Sequence, residues 1–91
     1  MKRYLFDDKE YELIENYKDG FDYDEVKKCI TDYYDNYDYI VGDWAYGKLR
    51  LKGFCNKNNK IFNKINDIKN KEDYLKNYCA YDCKYFVLEK K

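Results

Sequence analysis

The stretch YDYIVGDWAYGKLRLKGF, residues Tyr37 to Phe54, decides the fold of this chain. Two runs with β-branched and aromatic residues, Tyr37–Asp43 and Lys48–Phe54, surround a short segment that ends in glycine. Such residues are enriched in strands, and glycine accepts the positive φ that tight hairpin turns require. The stretch therefore predicts a β-hairpin with its loop at 44–47.

Alternation of side chains within this hairpin predicts two unlike faces. We expect Asp43 to lie opposite Lys48, and every second residue of a strand shares a face. The same register gives two further opposed pairs, Val41 with Arg50 and Tyr39 with Lys52. One face is therefore aromatic and cationic. The other is apolar and comprises Ile40, Leu49 and Leu51, with Gly42 and Gly53 leaving space for a helix to approach.

A well-signalled helix precedes the hairpin. Asp22 can serve as its N-cap with Glu25 at the third helical position, an arrangement like a capping box. Apolar residues then recur at steps of three and four, which is the period of a core-facing helix side, and the helix is predicted to end near Asn36. The core-facing positions are Val26, Cys29, Ile30, Tyr33, Tyr34 and Tyr37.

The remaining elements complete an α+β fold. Strands are predicted over 3–6, 10–17 and 85–89, and a second helix from about Lys71 to Cys79. The element order is therefore ββαββαβ in a single domain spanning residues 1–91. This order favours a mostly antiparallel sheet with two helices packed on one face.

Composition constrains the setting of the domain. Its 91 residues include 13 Tyr, 5 Phe and 1 Trp, enough aromatic area for a compact core although 40% of the residues are charged. No apolar run approaches the ~20 residues of a membrane span. The amino-terminal residues lack the apolar segment of a signal peptide. We therefore expect a cytoplasmic protein without a membrane partner.

The formal net charge of zero hides an uneven distribution. Residues 1–47 carry 6 Lys and Arg against 13 Asp and Glu, whereas residues 48–91 carry 12 against 5. Such asymmetry can mark an anion-binding face. In one small domain, however, the two halves interleave in space and neutralise each other, and we favour this interpretation.

The sequence contains no catalytic or cofactor-binding signature. Histidine is absent, which removes the commonest general base and the usual nucleophilic triads, and neither glycine-rich phosphate-binding motif occurs. Asp43, beside Trp44, could be a tuned acid, but an ion-pair or turn-capping role is the simpler interpretation. The sequence therefore favours a protein that is not an enzyme, and we predict no catalytic residue and no cofactor.

Four cysteines leave a redox role open as the alternative function. Only Cys79 and Cys83 are close in sequence, while Cys29 and Cys55 stand apart. Without histidine or a second close pair, this set does not predict a metal site. The C-x-x-x-C spacing differs from the C-x-x-C of thioredoxin-like proteins, and buried reduced thiols are the simpler interpretation. The alternative function is thus a thiol-based redox protein using Cys79 and Cys83.

Three cations at alternate positions carry the main functional hypothesis. Lys48, Arg50 and Lys52 share one face of a predicted strand, with Tyr39 beside them and Trp44 at the edge. Basic and aromatic side chains mixed on an open sheet can bind single-stranded RNA, because rings stack on bases and cations contact phosphates. The same cations could also be an ordinary solvated strand face.

A protein interface is a further interpretation of the hairpin. Trp44 and Tyr46 could project from it as anchors, since aromatic side chains often dominate binding energy. We therefore predict a non-enzymatic binding module that engages RNA, a ribonucleoprotein or a protein partner through residues 37–54. The partner-binding residues are predicted to be Tyr39, Trp44, Lys48, Arg50 and Lys52.

Four motifs of the chain resemble the YutD-like family of small bacterial proteins. They are YKDGF (Tyr17–Phe21), YDYIVGDWAYGKLRLKGF (Tyr37–Phe54), DYLKNYC (Asp73–Cys79) and CKYFVL (Cys83–Leu88). Their order and spacing agree with that family over nearly the whole chain, whereas the stretch Asn56–Asn70 departs from the family pattern. The resemblance implies a small cytoplasmic α+β domain and supplies no established active site. It modestly favours a redox or packing role for Cys79 and Cys83.

Overall fold

Five strands form one antiparallel sheet in the computed structural model, which describes residues 2–6, 8–78 and 83–91. The elements are β1 (Arg3–Phe6), β2 (Lys9–Tyr17), α1 (Tyr23–Cys29), β3 (Tyr39–Ala45), β4 (Lys48–Phe54), α2 (Lys71–Tyr78) and β5 (Tyr85–Lys90). Their order confirms the predicted ββαββαβ arrangement. The strands lie in the order β1-β2-β5-β3-β4, and all four neighbouring pairs are antiparallel.

The last strand, β5, joins two hairpins into this sheet. It pairs with β2 on one side and with β3 on the other. Phe86, Val87 and Leu88 are consecutive and fully buried. A strand that buries successive residues must be covered on both faces, because neighbouring side chains point in opposite directions.

The two helices cover opposite faces of the sheet, so the prediction that they share one face is wrong. α1 buries Val26 in a cluster with Ile40, whereas α2 buries Leu75 in a second cluster with Val41. Ile40 and Val41 are consecutive on β3 and therefore point to opposite faces. The apolar side of a helix shows that it is buried but does not show which sheet face it covers.

α1 begins where the sequence predicts and ends earlier. The Asp22 Oδ1 atom accepts a hydrogen bond from the Glu25 amide at 3.2 Å, which confirms the N-cap. The helix ends at Cys29, one residue before Ile30 takes an extended conformation with φ −76° and ψ 132°. β-Branched residues such as Ile30 and the next residue, Thr31, have low helix propensity, and this favours the break.

A separate 3-10 helix, Asp32–Asn36, follows the break. The Thr31 hydroxyl accepts a hydrogen bond from the Tyr33 amide at 3.3 Å and so caps this short helix. The change of direction turns Tyr33 outward, where it is 65% exposed. Its predicted place on the core-facing side is therefore wrong.

The hairpin of β3 and β4 has a two-residue loop rather than the predicted four-residue loop. Only Tyr46 and Gly47 remain outside the strands, with φ angles of 53° and 75°. Positive φ at both positions defines a type I′ turn, which matches the twist of a hairpin. The shorter loop moves each pairing by two residues, so Asp43 lies opposite Arg50 instead of Lys48. The other corrected pairs are Val41 with Lys52 and Tyr39 with Phe54.

Aromatic rings, rather than a helix, fill the space above the glycines of the hairpin. A Cβ atom added to Gly42 would lie 2.1 Å from the ring of Phe86, which is opposite it on β5. A Cβ added to Gly53 would lie 2.4 Å from the ring of Tyr37. The expected helix approach at these positions is therefore corrected to close ring packing.

Asparagine side chains hold the segment 56–70, the stretch that departs from the family pattern. The buried Asn66 accepts a hydrogen bond at Oδ1 from the Asn63 amide at 2.8 Å and donates from Nδ2 to the Ile61 carbonyl at 2.9 Å. The Cys55 amide donates to the Asn66 carbonyl at 2.7 Å, which attaches the segment to the end of β4. After this segment the chain continues into α2, which covers one face of the sheet.

Candidate functional site

The hairpin of β3 and β4 ends in an exposed aromatic side chain. Tyr46 is fully exposed and has a φ of 53°. The first loop position of a type I′ turn normally holds Asn, Asp or Gly, because other side chains are strained at positive φ by about 1 kcal/mol or more. Packing does not account for a tyrosine here, and an exposed ring on a strained backbone is typical of a functional position.

The three cations of the predicted stripe lie on the same face of β4. Lys48, Arg50 and Lys52 occupy alternate positions of this strand, opposite Ala45, Asp43 and Val41 in that order. Lys48 is exposed next to the tip of the hairpin, while Lys52 is half-buried. The stripe therefore exists as a surface feature, but its members differ in how far they reach solvent.

Arg50 is anchored by an ion pair with a buried carboxylate. Its Nη2 atom lies 2.5 Å from Oδ2 of Asp43, whose side chain is 0% exposed, while 43% of the Arg50 side chain remains exposed. The hydrogen bond from Arg50 to Asp43 raises the pKa of the guanidinium. Asp43 is therefore an ion-pair residue in this structure, in agreement with the simpler of its two interpretations.

Lys52 contacts two aromatic rings on the same face. Its Nζ atom lies 5.3 Å from the ring centroid of Phe54 and 5.9 Å from that of Tyr74 on α2. Both distances are within the range of cation–π attraction. Part of the Lys52 side chain thus contributes to packing between β4 and α2.

Tyr39 lies on the stripe face but far from the tip of the hairpin. It packs against the cluster beneath α2, and its hydroxyl donates a hydrogen bond to Oε2 of Glu89 at 3.2 Å. Burial, followed by the nearby Glu89 carboxylate, raises the pKa of the phenol. These contacts tie β3 to β5, so Tyr39 has a structural role that the sequence did not indicate.

Trp44 lies on the opposite face from the cations. It pairs with Leu49, and its indole Nε1 donates a hydrogen bond to the Gly20 carbonyl at 2.7 Å. The Lys84 Nζ atom lies 4.6 Å from its ring centroid. The structure therefore does not bring Trp44 together with the stripe, and its contacts fasten the hairpin to the turn after β2.

A groove of about 390 Å³ runs along the outer side of β4. Tyr34 donates a hydrogen bond from its hydroxyl to the Leu51 carbonyl at 3.4 Å, and the hydroxyls of Tyr33 and Tyr37 are 3.3 Å apart. The hydrogen bond with Tyr33, together with burial, raises the pKa of Tyr37 to about 12. The helix pattern predicted that these tyrosines face the core. The β-branched pair Ile30 and Thr31, which ends the helix early, was the signal in the sequence that could have revealed the groove.

The cysteines fall into different environments. Cys29 is a free, exposed thiol, whereas Cys55 is free and buried, and burial raises the pKa of its thiol. Cys83 is half-buried and disulfide-bonded. Cys79, the other residue of the predicted redox pair, lies outside the described residues.

The described residues contain no candidate for a metal site or for a membrane-spanning helix. No group of three or more metal-ligating side chains occurs among them. Within the same residues, no helix has the length and apolar character needed to cross a membrane.

Comparisons with known proteins identify the family. The family model described as "Putative antitoxin YutD-like" matches residues 5–89, and the chain belongs to this family. The Bacillus subtilis (strain 168) protein described as "Putative antitoxin YutD" is 43% identical over 86 residues, which cover 94% of each chain. The solution NMR structure of protein yutD from B. subtilis has a TM-score of 0.83 and 41% sequence identity, covering 100% of this chain and 83% of that one. The predicted family and its α+β fold are confirmed.

Proposed function

We propose that this member of the YutD-like family is a non-enzymatic binding module that engages a partner protein through the hairpin of β3 and β4. Tyr46 carries this proposal, because its exposed ring occupies a backbone position that disfavours it. Exposed tyrosines are among the side chains that dominate binding energy at protein interfaces. The neighbouring Lys48 would add a charge at the edge of the same surface, which favours rapid association with an acidic partner.

The family description supports binding over catalysis. An antitoxin counteracts another molecule, and a surface that binds this molecule can achieve that. The hairpin tip is the surface that best suits this task. Its partner would bury the Tyr46 ring and would face the cations of β4.

The five predicted partner-binding residues take different parts in this proposal. Lys48 contacts the partner directly, and Arg50 and Lys52 contribute their exposed portions. Tyr39 and Trp44 hold the hairpin in place through their hydrogen bonds to Glu89 and Gly20.

A protein partner is favoured over RNA because two of the three cations on β4 already make contacts within the protein. Arg50 is paired with Asp43, and Lys52 lies over two rings, so both are partly committed to internal contacts. Binding of nucleic acid draws its affinity from several phosphate contacts made at once. With zero net charge in the whole chain, the stripe is better suited to a few charge pairs with a protein.

The proposal places the module in the cytoplasm. Cys29 is a free and exposed thiol, and exposed thiols persist in reducing compartments. The disulfide at Cys83 fits this compartment as a transient bond, the form that disulfides usually take in the cytoplasm.

Capture of the tagged full chain from its own cells tests the proposal. A protein should remain bound after ribonuclease treatment, and Tyr46→Ala should lower its recovery about tenfold or more, as expected for an interface anchor. Leu5→Ala removes an exposed apolar side chain from the opposite edge of the sheet and should leave recovery unchanged. Loss of the captured protein after ribonuclease treatment, or equal recovery with Tyr46→Ala, would contradict the proposal.

A redox function of Cys79 and Cys83 is the second candidate. The observation that favours it is that Cys83 is disulfide-bonded in the structure. The candidate requires a bond between these two residues that opens and closes near the potential of the cytoplasm. Mass spectrometry of thiol-labelled protein, taken directly from cells and after mild oxidation, tests it. A Cys83 thiol that stays fully reduced in both samples would exclude this function.

A further inference from the structure

β4 is an edge strand of the sheet. On one side it pairs with β3 through all seven of its residues. On its other side the sheet has no further strand in the part of the chain that the structure describes. Backbone pairing beyond the strand begins only at Cys55, which forms an isolated parallel bridge with Asp67. The edge from Lys48 to Phe54 thus pairs with no strand on this side, and an added strand would replace the 3.4 Å hydrogen bond that the Leu51 carbonyl accepts from the Tyr34 hydroxyl.

Side chains flank this open edge on both faces of the sheet. The Tyr37 ring lies over Gly53 with the Tyr33 ring beside it, whereas Lys52 and Tyr74 lie together on the face that α2 covers. An added strand sends alternate side chains to the two faces. Those on the first face would meet the tyrosines and Leu51, and those on the second face would meet the cations of β4.

The charge pattern of β4 disfavours pairing with a second copy of itself. Two β4 strands related by a two-fold axis at Arg50 would place Arg50 against Arg50 and Lys48 against Lys52. Like charges directly opposite each other on a sheet are destabilising. Lysines on an edge strand commonly prevent such self-association. A strand with acidic residues at alternate positions places opposite charges against Lys48 and Lys52, which is favourable. Its third acidic residue faces the exposed part of Arg50, where the attraction is weaker because Arg50 is already paired with Asp43.

We propose that β4 accepts an extended acidic segment of the partner protein as a sixth strand of the sheet. The segment carries carboxylates at alternate positions, facing Lys48, Arg50 and Lys52, and apolar or aromatic residues between them, facing Tyr33, Tyr37 and Leu51. Main-chain hydrogen bonds supply affinity, and the alternate side chains supply specificity. This inference rests on the proposed function and names the chemistry of its partner.

A synthetic peptide tests the edge directly. The probe has seven residues, the length of β4, with glutamate at alternate positions and valine or tyrosine between them. Added to the full chain, it should slow hydrogen exchange of the outward-pointing β4 amides about tenfold or more at saturation. A peptide with lysine in place of glutamate should give no such protection.

A second probe separates strand pairing from simple charge attraction. An otherwise identical glutamate peptide, methylated on the backbone nitrogens that would face β4, keeps its charge but cannot donate hydrogen bonds. It should lose the protection of β4. Equal protection by the methylated peptide, or none by either glutamate peptide, would overturn the inference.

A variant of β4 with reversed charges should reverse the preference between the two peptides. In Lys48→Glu/Lys52→Glu, the lysine peptide should bind about tenfold better than the glutamate peptide, since each opposite-charge pair across strands is favourable. An unchanged preference would contradict the inference. Single-stranded poly-uridine that binds β4 more tightly than the glutamate peptide would also contradict it, as would a dimer formed through β4 in sedimentation experiments.

Failure of this inference is distinguishable from failure of the proposed function. If Tyr46→Ala abolishes partner capture while the glutamate peptide protects no β4 amide, the hairpin still binds its partner but not by strand addition. If the peptide protects β4 while Tyr46→Ala leaves capture unchanged, the edge is a binding site but Tyr46 is not the anchor.

Discussion

The Arg50 guanidinium and the Asp43 carboxylate form an ion pair across β3 and β4, with 2.5 Å between Nη2 and Oδ2. The Asp43 side chain is fully buried, and its Oδ1 atom has no hydrogen-bond partner among the described residues. Arg50 is thus the group that compensates the buried charge. One member of the apparent binding stripe therefore has a structural role, and substitutions at Arg50 report on folding before they report on binding.

Arg50→Leu should lower the free energy of unfolding by about 2 kcal/mol. Removal of one partner leaves a buried charge without compensation, and partial exposure of the Arg50 side chain makes the loss smaller than for a fully buried pair. Urea unfolding measures the change. Asp43→Asn in the same background should recover part of the loss, because an amide carries no charge to bury. If the free energy of unfolding of Arg50→Leu alone lay within about 0.5 kcal/mol of the wild-type value, the ion pair would not stabilise the hairpin.

Gly42→Ala should destabilise the protein by about 2 kcal/mol through overpacking. The added methyl group would overlap the Phe86 ring, which lies 2.1 Å from the ideal Cβ position. Thermal and urea unfolding measure the loss. Phe86→Leu removes the ring, so the double variant should lose less stability than the two single variants together. Strict additivity would show that the two positions are not in contact.

Stability should fall as the pH rises from 10 towards 12. The pKa of Tyr37 is raised from its ordinary value of 10.0 to about 12 in the folded protein, mainly by the hydrogen bond with Tyr33. The folded state therefore keeps a proton that the unfolded state loses, and the resulting stabilisation is complete below pH 10 and is lost as the pH passes about 12. Other tyrosines whose pKa is raised in the fold act in the same direction: Tyr11, Tyr34, Tyr39 and Tyr85.

Tyr37→Phe isolates the part of this pH dependence that belongs to one hydroxyl. The variant should be less stable than wild type below pH 10, and the difference should shrink across the interval to pH 12. Urea midpoints measured at closely spaced pH values would show the convergence. A difference that stays constant over this interval would mean that the Tyr37 hydroxyl does not titrate as described.

Lys48→Glu should weaken partner binding several-fold at low salt and less at high salt. The exposed lysine lies beside the tip of the hairpin, and charges at an interface rim act mainly on the association rate. Lys60→Glu makes the same charge change on an exposed loop residue and serves as the control. Association rates for the captured partner at two salt concentrations provide the measurement. Equal effects of the two substitutions would exclude a specific role for Lys48.

Regular alternation made much of the hairpin predictable from sequence. The composition of its two faces follows from a period of two, and a register error of two residues leaves those faces unchanged. The error arose at Tyr46, because tyrosine rarely occupies the left-handed position of a two-residue turn. Local preference indicated a longer loop, and the structure instead retains the tyrosine at a cost in backbone strain.

Long-range packing explains the remaining differences from the predicted structure. The continuous apolar run Phe86–Leu88 is typical of a strand covered on both faces, a signal that the prediction of both helices on one face did not use. Helix patterns alone do not assign Val26 and Leu75 to opposite faces. The site was harder to predict for the same reason. The hydrogen bonds of Tyr39 and Trp44 are made to residues distant in sequence, so two side chains that looked available for binding contribute to folding.

Tyr46→Asn tests the central claim most directly, because stability and binding should change in opposite directions. Asparagine suits the first position of a type I′ turn, so the free energy of unfolding should rise by about 0.5–1 kcal/mol. Partner affinity should fall at least tenfold, while Tyr46→Phe, which keeps the ring, should bind nearly as well as wild type. Both quantities are measured on the same purified samples. A Tyr46→Asn protein that is more stable and still binds its partner with wild-type affinity would contradict the account.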